Sequence, residues 1–282
     1  MMGPMDPPEP RPDRPEALPP RPDLPTMPGA GGTPVAGPPG PAAPRTRTAA
    51  GAVSWRWWEA LAAYLVALLL AGAVSLPVLQ AVEPRGTAEL VASVVADAVM
   101  VGLLLLWLRR FHPGWADAVG RPGRPLREAG AGFIGGLVLY PAVALGLAPL
   151  VGLAIEALTG ARPSPPAQLP GQLTGLGVAA AIVFGLVAAP VQEELVFRGL
   201  LYPALRGRFG RWPAAWGQAL LFGAVHYVPA PRLAGSLLLQ AAMVGTGLGL
   251  ALIYERRGNL LAPIAAHAAF NLVGLAFVLG PG

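Results

Sequence analysis

Three short polar groupings interrupt long apolar runs, and their residue types are those that can activate water. In Glu193-Glu194-Leu195-Val196-Phe197-Arg198, two carboxylates and a guanidinium fall within one and a half helical turns. Glu194 and Arg198 are four apart and share a helix face, so the arginine can orient one carboxylate. Glu193 points about 100° away and is free for different work. The second grouping is Phe222-Gly223-Ala224-Val225-His226, and the third is His267-Ala268-Ala269-Phe270-Asn271, again an i,i+4 pair. A carboxylate within reach of water can act as a general base, and preorganised donors can stabilise a developing oxyanion. Each grouping also has a plainer reading. A Glu-Glu pair can be an interfacial charge group, a lone histidine a structural hydrogen-bonding residue, and His267 with Asn271 a tie between two helices. Their conjunction favours chemistry: of three histidines, two lie in apolar runs, while His112 sits in an arginine-rich loop. Polar groups retained in a bilayer are functional candidates by default.

Seven apolar stretches carry or support these groups, at about Trp58–Ala81, Thr87–Leu108, Ala129–Ala157, Leu173–Arg206, Trp212–Tyr227, Leu233–Tyr254 and Leu260–Leu279. Crossing about 30 Å of hydrocarbon takes roughly 20 helical residues. Six stretches meet that length and the fifth is short. The pattern predicts an all-α, polytopic membrane bundle of about seven transmembrane helices. The continuous Leu, Ala and Val runs exclude the alternating strands of an outer-membrane barrel. With the amino terminus inside, thirteen arginines flank the inner ends of the stretches and three the outer loops. That bias predicts a cytoplasmic amino terminus and an outside carboxyl terminus in the cell membrane. By rise per residue, Glu193 and Glu194 lie roughly 18–20 Å from the inner end, His226 about 22 Å, His267 about 14 Å and Asn271 about 20 Å. These depths permit one shared site.

Composition fits this division. The chain is 54% hydrophobic and 12% charged, with mean hydropathy +0.54. Of 34 prolines, 16 lie in residues 1–50, predicting a disordered Pro/Gly-rich tail over 1–50 and a membrane domain over 55–280. No apolar leader core occurs in the first 30 residues. The absence of cysteine excludes thiolate catalysis and Cys-ligated metals. No His-Glu-x-x-His or Gly-x-Ser-x-Gly occurs, and the run Gly245-Thr246-Gly247-Leu248-Gly249 reads as close helix packing. The net charge of +5 belongs to the apolar part, as membrane orientation rather than nucleic-acid binding.

Glu-Glu-x-x-x-Arg, then Phe-x-x-x-His, then His-x-x-x-Asn, in that order within 173–275, resembles the CAAX protease and bacteriocin-processing family, also called the Abi or type II CAAX prenyl endopeptidase family. Leu261-Ala262-Pro263-Ile264 resembles the lead-in to its last motif. The resemblance implies an intramembrane endopeptidase acting on a membrane-associated peptide or protein. It implies that Glu193 activates water and His226 shares in orientation and proton transfer. His267 and Asn271 would stabilise the oxyanion, and Glu194 with Arg198 would hold the site together. Family members are often called metalloproteases. Glu193, His226 and His267 could bind zinc with an open position, although one histidine would then leave its oxyanion role; no cofactor is certain. The family's bacteriocin-immunity branch supplies the alternative of a non-catalytic membrane scaffold. A transporter would account for Asp97 and Glu156 within the stretches, but no inverted repeat is visible. Pro190 and Pro263 precede Glu193 and His267, and are expected to open the helix ladder locally.

Overall fold

In hydrocarbon, a helix satisfies every backbone polar group within its own ladder, so uninterrupted Leu, Ala and Val runs become helices. The computed structural model describes residues 53–280 except 168, 171–172, 174 and 230–232. The tail expected over 1–50 lies outside the described residues. The helices run in the order α1 (Trp57–Ala81), α2 (Arg85–Phe111), α3 (Trp115–Ala118), α4 (Pro125–Thr159), α5 (Gly175–Phe209), α6 (Arg211–Val225), α7 (Leu233–Arg257) and α8 (Leu261–Leu279). No strand occurs among the described residues.

Six helices, α1, α2, α4, α5, α7 and α8, are long and apolar enough to cross a membrane. The fifth expected stretch forms a helix as well, but α6 has 15 residues. At 1.5 Å per residue it spans about 22 Å, short of a 30 Å hydrocarbon core. It ends because His226, at φ −91° and ψ 16°, has left the helical region for the sparsely populated bridge conformation.

Small residues set the helix spacing. A Cβ on Gly132 would overlap the carbonyl of Ala262, and one on Gly136 that of Ala266, so α4 and α8 meet backbone to backbone. On α1 the inward residues Ala60, Ala67 and Ala71 are small and buried, while Leu65 and Leu69 face outward and are exposed. Large apolar side chains outside and small ones inside suit a lipid surround, where close packing rather than water exclusion holds helices together.

The ladder of α5 widens twice into π-helical turns, at Phe184–Ala188 and Leu195–Leu201. Between them lies Ala189–Glu194, which carries both glutamates. Three ties fix the long helices near their ends. Arg206 on α5 bonds Glu255 on α7 at 2.8 Å, Arg257 bonds Glu128 on α4 at 2.8 Å, and the Trp55 indole, just before α1, donates to the Leu200 carbonyl at 3.0 Å. Trp55 packs edge-on against Trp107 and His112, and the His112 Nδ1 lies 3.0 Å from the Ser54 hydroxyl.

Candidate active site

Arg198 and Glu194 form a fully buried ion pair, Nη1 to Oε1 at 2.7 Å, with both side chains at 0% exposure. Such a pair is tolerated only where further hydrogen bonds satisfy the guanidinium. Its Nη2 donates to the Gly247 carbonyl at 2.7 Å, which also accepts from Gln218 Nε2 at 3.0 Å. The Phe222 ring lies 4.9 Å from the guanidinium carbon, a cation–π contact. A Cβ on Gly247 would come 3.1 Å from the Phe222 Cβ and 3.2 Å from the Ala219 Cα. The bare glycine thus lets α7 bring its carbonyl to Arg198. The glycine run packs helices, as its composition suggests, and one of its carbonyls also joins the polar cluster.

Two histidines present the same face to Glu193. His226 Nδ1 lies 2.8 Å from the Phe222 carbonyl and His267 Nδ1 lies 2.9 Å from Glu194 Oε1. A carbonyl and a carboxylate paired with arginine only accept, so Nδ1–H donates in both rings. Each Nε2 is thereby turned toward Glu193: His226 Nε2 is 3.6 Å from Oε1, and His267 Nε2 is 3.8 Å from Oε2. Both separations exceed a direct hydrogen bond. Glu193 Oε2 is buried and makes no hydrogen bond, while the side chain as a whole is 15% exposed. The two adjacent glutamates therefore do different things, one locked in the protein and the other facing two imidazoles.

Asn271 is placed differently. Its Nδ2 donates to the Gly185 carbonyl at 2.8 Å, and α5 explains why. In the first π-turn the Ala189 N–H bonds the Phe184 carbonyl, an i to i−5 step. The next donor in that register is Pro190, which has no N–H, so Gly185 would go unsatisfied without Asn271. Pro190 thus does open the ladder. Pro263 does not, because it is the third residue of α8, where an N–H has no partner within the helix anyway.

Among the described residues, no group of three or more His, Asp or Glu side chains is arranged as a metal site. The sequence reading also passed over Gln218. It precedes Phe222 and His226 by one and two helical turns on the same face of α6, and that spacing was the available signal.

Residues 175–273, which hold the whole cluster, match the family described as type II CAAX prenyl endopeptidase Rce1-like. The chain is similar to CAAX prenyl protease 2 of Homo sapiens, 32% identical over 100 residues, which is 31% of this chain and 30% of that protein. It is likewise similar to CAAX prenyl protease 2 of Rattus norvegicus, 32% identical over 88 residues, 31% of this chain and 26% of that protein. The chain thus spans less than a third of the length of the curated relatives it matches. No solved structure matches it. With six helices long and apolar enough to cross a membrane, the protein is a multi-pass membrane protein.

Proposed function

We propose that the protein is an endopeptidase of the cell membrane that hydrolyses a peptide bond of a membrane-associated peptide or protein, using water activated by Glu193 and His226. The observation that carries this reading is the largely buried Glu193 carboxylate held between two imidazole Nε2 atoms, at 3.6 and 3.8 Å. At those separations a single water oxygen can bond the carboxylate and an imidazole at once.

Glu193 takes a proton from the water as its oxygen attacks the scissile carbonyl carbon. The His226 Nε2, lone pair outward, aligns the water and shares the proton. The oxyanion that forms is met by His267 and Asn271. With its Nδ1 held at Glu194, His267 meets the oxyanion through Nε2. Asn271 uses its second Nδ2 hydrogen, the first being held by Gly185. The carbon–nitrogen bond then breaks and the proton held by Glu193 and His226 passes to the leaving amine. No step is routed through a metal. The likeness of residues 175–273 to the CAAX endopeptidases supports this reaction class. The arginine distribution supports a cytoplasmic amino terminus and an outside carboxyl terminus.

The test is peptide cleavage by the purified protein in liposomes. Glu193→Gln is expected to lower kcat by about 10²–10⁴-fold, with the thermal midpoint unchanged, and dialysis against a chelator is expected to leave wild-type activity intact. A fully active Glu193→Gln overturns the reading. Loss of activity on chelation, restored by zinc, overturns metal-free water activation.

A further inference from the structure

We propose that Asp97 forms a subsite for a cationic side chain of the peptide substrate, beside the Glu193 carboxylate. The proposal rests on the endopeptidase reading above and concerns what that site selects. Asp97 lies in the middle of α2, outside the matched segment 175–273. It is only 9% exposed, and its Oδ2 is buried with no hydrogen-bond partner.

Its orientation follows from the helix contact it belongs to. Met100, one turn further along α2 on the same face, accepts a hydrogen bond from Gln192 Nε2 at 3.1 Å, and Gln192 directly precedes Glu193. Helices α2 and α5 thus bring a second carboxylate beside the turn that carries the proposed base.

The other acids of the interior show what a purely structural carboxylate looks like in this protein. Glu194 is paired with Arg198, Glu255 with Arg206 and Tyr202, and Glu128 with Arg257 and Asn259. Each is tied down by an arginine of the chain. Among the described residues, no ion pair forms to Asp97. An unpaired carboxylate at membrane depth is costly, and the partner that relieves it comes with the substrate. An ammonium or guanidinium supplies both the balancing charge and several donors; a neutral amide supplies only the donors. Because Asp97 faces the helix of Glu193, the cation belongs to a residue close to the scissile bond.

Four internally quenched peptides of one apolar sequence test this in liposomes. Three are acetylated and amidated and carry Arg, Lys or Gln at one central position. The fourth carries Gln with a free amino terminus. Wild type is expected to show a KM at least tenfold lower for the Arg and Lys peptides than for either Gln peptide. Asp97→Asn, with an unchanged thermal midpoint, is expected to bring that ratio within twofold, and Asp97→Glu to restore part of it. Cleavage without a basic preference, or a preference that survives in folded Asp97→Asn, overturns the subsite alone. Preference for the free amino terminus over central arginine overturns its assignment to a side chain. No cleavage of any of the four peptides overturns the endopeptidase reading and the subsite with it.

Discussion

Arg198 donates to a side chain of its own helix and to a backbone carbonyl of another, so its removal is felt in two places. With a methionine there, Glu194 is left buried with His267 Nδ1 as its remaining partner and no arginine, and the Gly247 carbonyl loses one side-chain donor and keeps Gln218. Breaking a buried pair from one side costs about 3–5 kcal/mol, whereas replacing both charges is close to neutral. Arg198→Met is therefore expected to lower the thermal midpoint in detergent sharply. Arg198→Met with Glu194→Gln is expected to recover most of it while remaining inactive. Recovery of activity in the double variant would contradict a positioning role for Glu194. The Glu194–Arg198 pairing was legible from a spacing of four. The carbonyl of Gly247 was not, because a backbone acceptor has no residue type to betray it. Gln218 was legible in spacing yet passed over, since it lies outside the recognised motif.

At the scale of the helix, the exchange between Pro190 and Asn271 separates architecture from catalysis. Asn271→Leu leaves the Gly185 carbonyl without its donor, a loss of about 1–3 kcal/mol for a buried polar group. Adding Pro190→Ala returns a backbone N–H to that region and is expected to recover part of the stability, measured by chemical denaturation in detergent. Activity is not expected to return, because the second Asn271 hydrogen stays missing; full activity in the double variant would remove Asn271 from the oxyanion. Apolar runs reveal where helices lie, but a π-turn is a change of hydrogen-bond register, marked in the sequence only by the proline that cannot donate. The same proline reasoning failed at Pro263, where position within the helix decides its effect. A second consequence lies at the end of α2. Burial holds the pKa of His112 below its ordinary value, with the charge of Glu59 opposing more weakly. The folded state thus favours the neutral ring. Its contribution is complete above a pH of about 6.5 and falls as the unfolded chain takes up the proton first. Tryptophan fluorescence should report a thermal midpoint that declines below that pH, and His112→Gln should flatten the decline.

For the molecule as a whole, six of the seven apolar stretches form helices long and apolar enough to cross a membrane, and Glu193, His226 and His267 come together as depth along the helices allowed. Length was less legible: the end of α6 at His226 depends on a backbone turn and on what packs against it. Asp97 was visible in the sequence only as an anomaly, because the half of the chain it occupies carries no motif to give it context. The short α6 also bears on the lipid around it. Its outward face carries Trp212 and Trp216, both exposed, which anchor one end at the polar boundary of a bilayer. From there the helix reaches about 22 Å, against a hydrocarbon core of about 30 Å. Thinning of the adjacent leaflets would accommodate such a mismatch and would shorten the route for water toward His226. Turnover in liposomes of a single lipid class is therefore expected to fall as the acyl chains are lengthened. Equal rates across chain lengths would show that water reaches the site without help from the membrane.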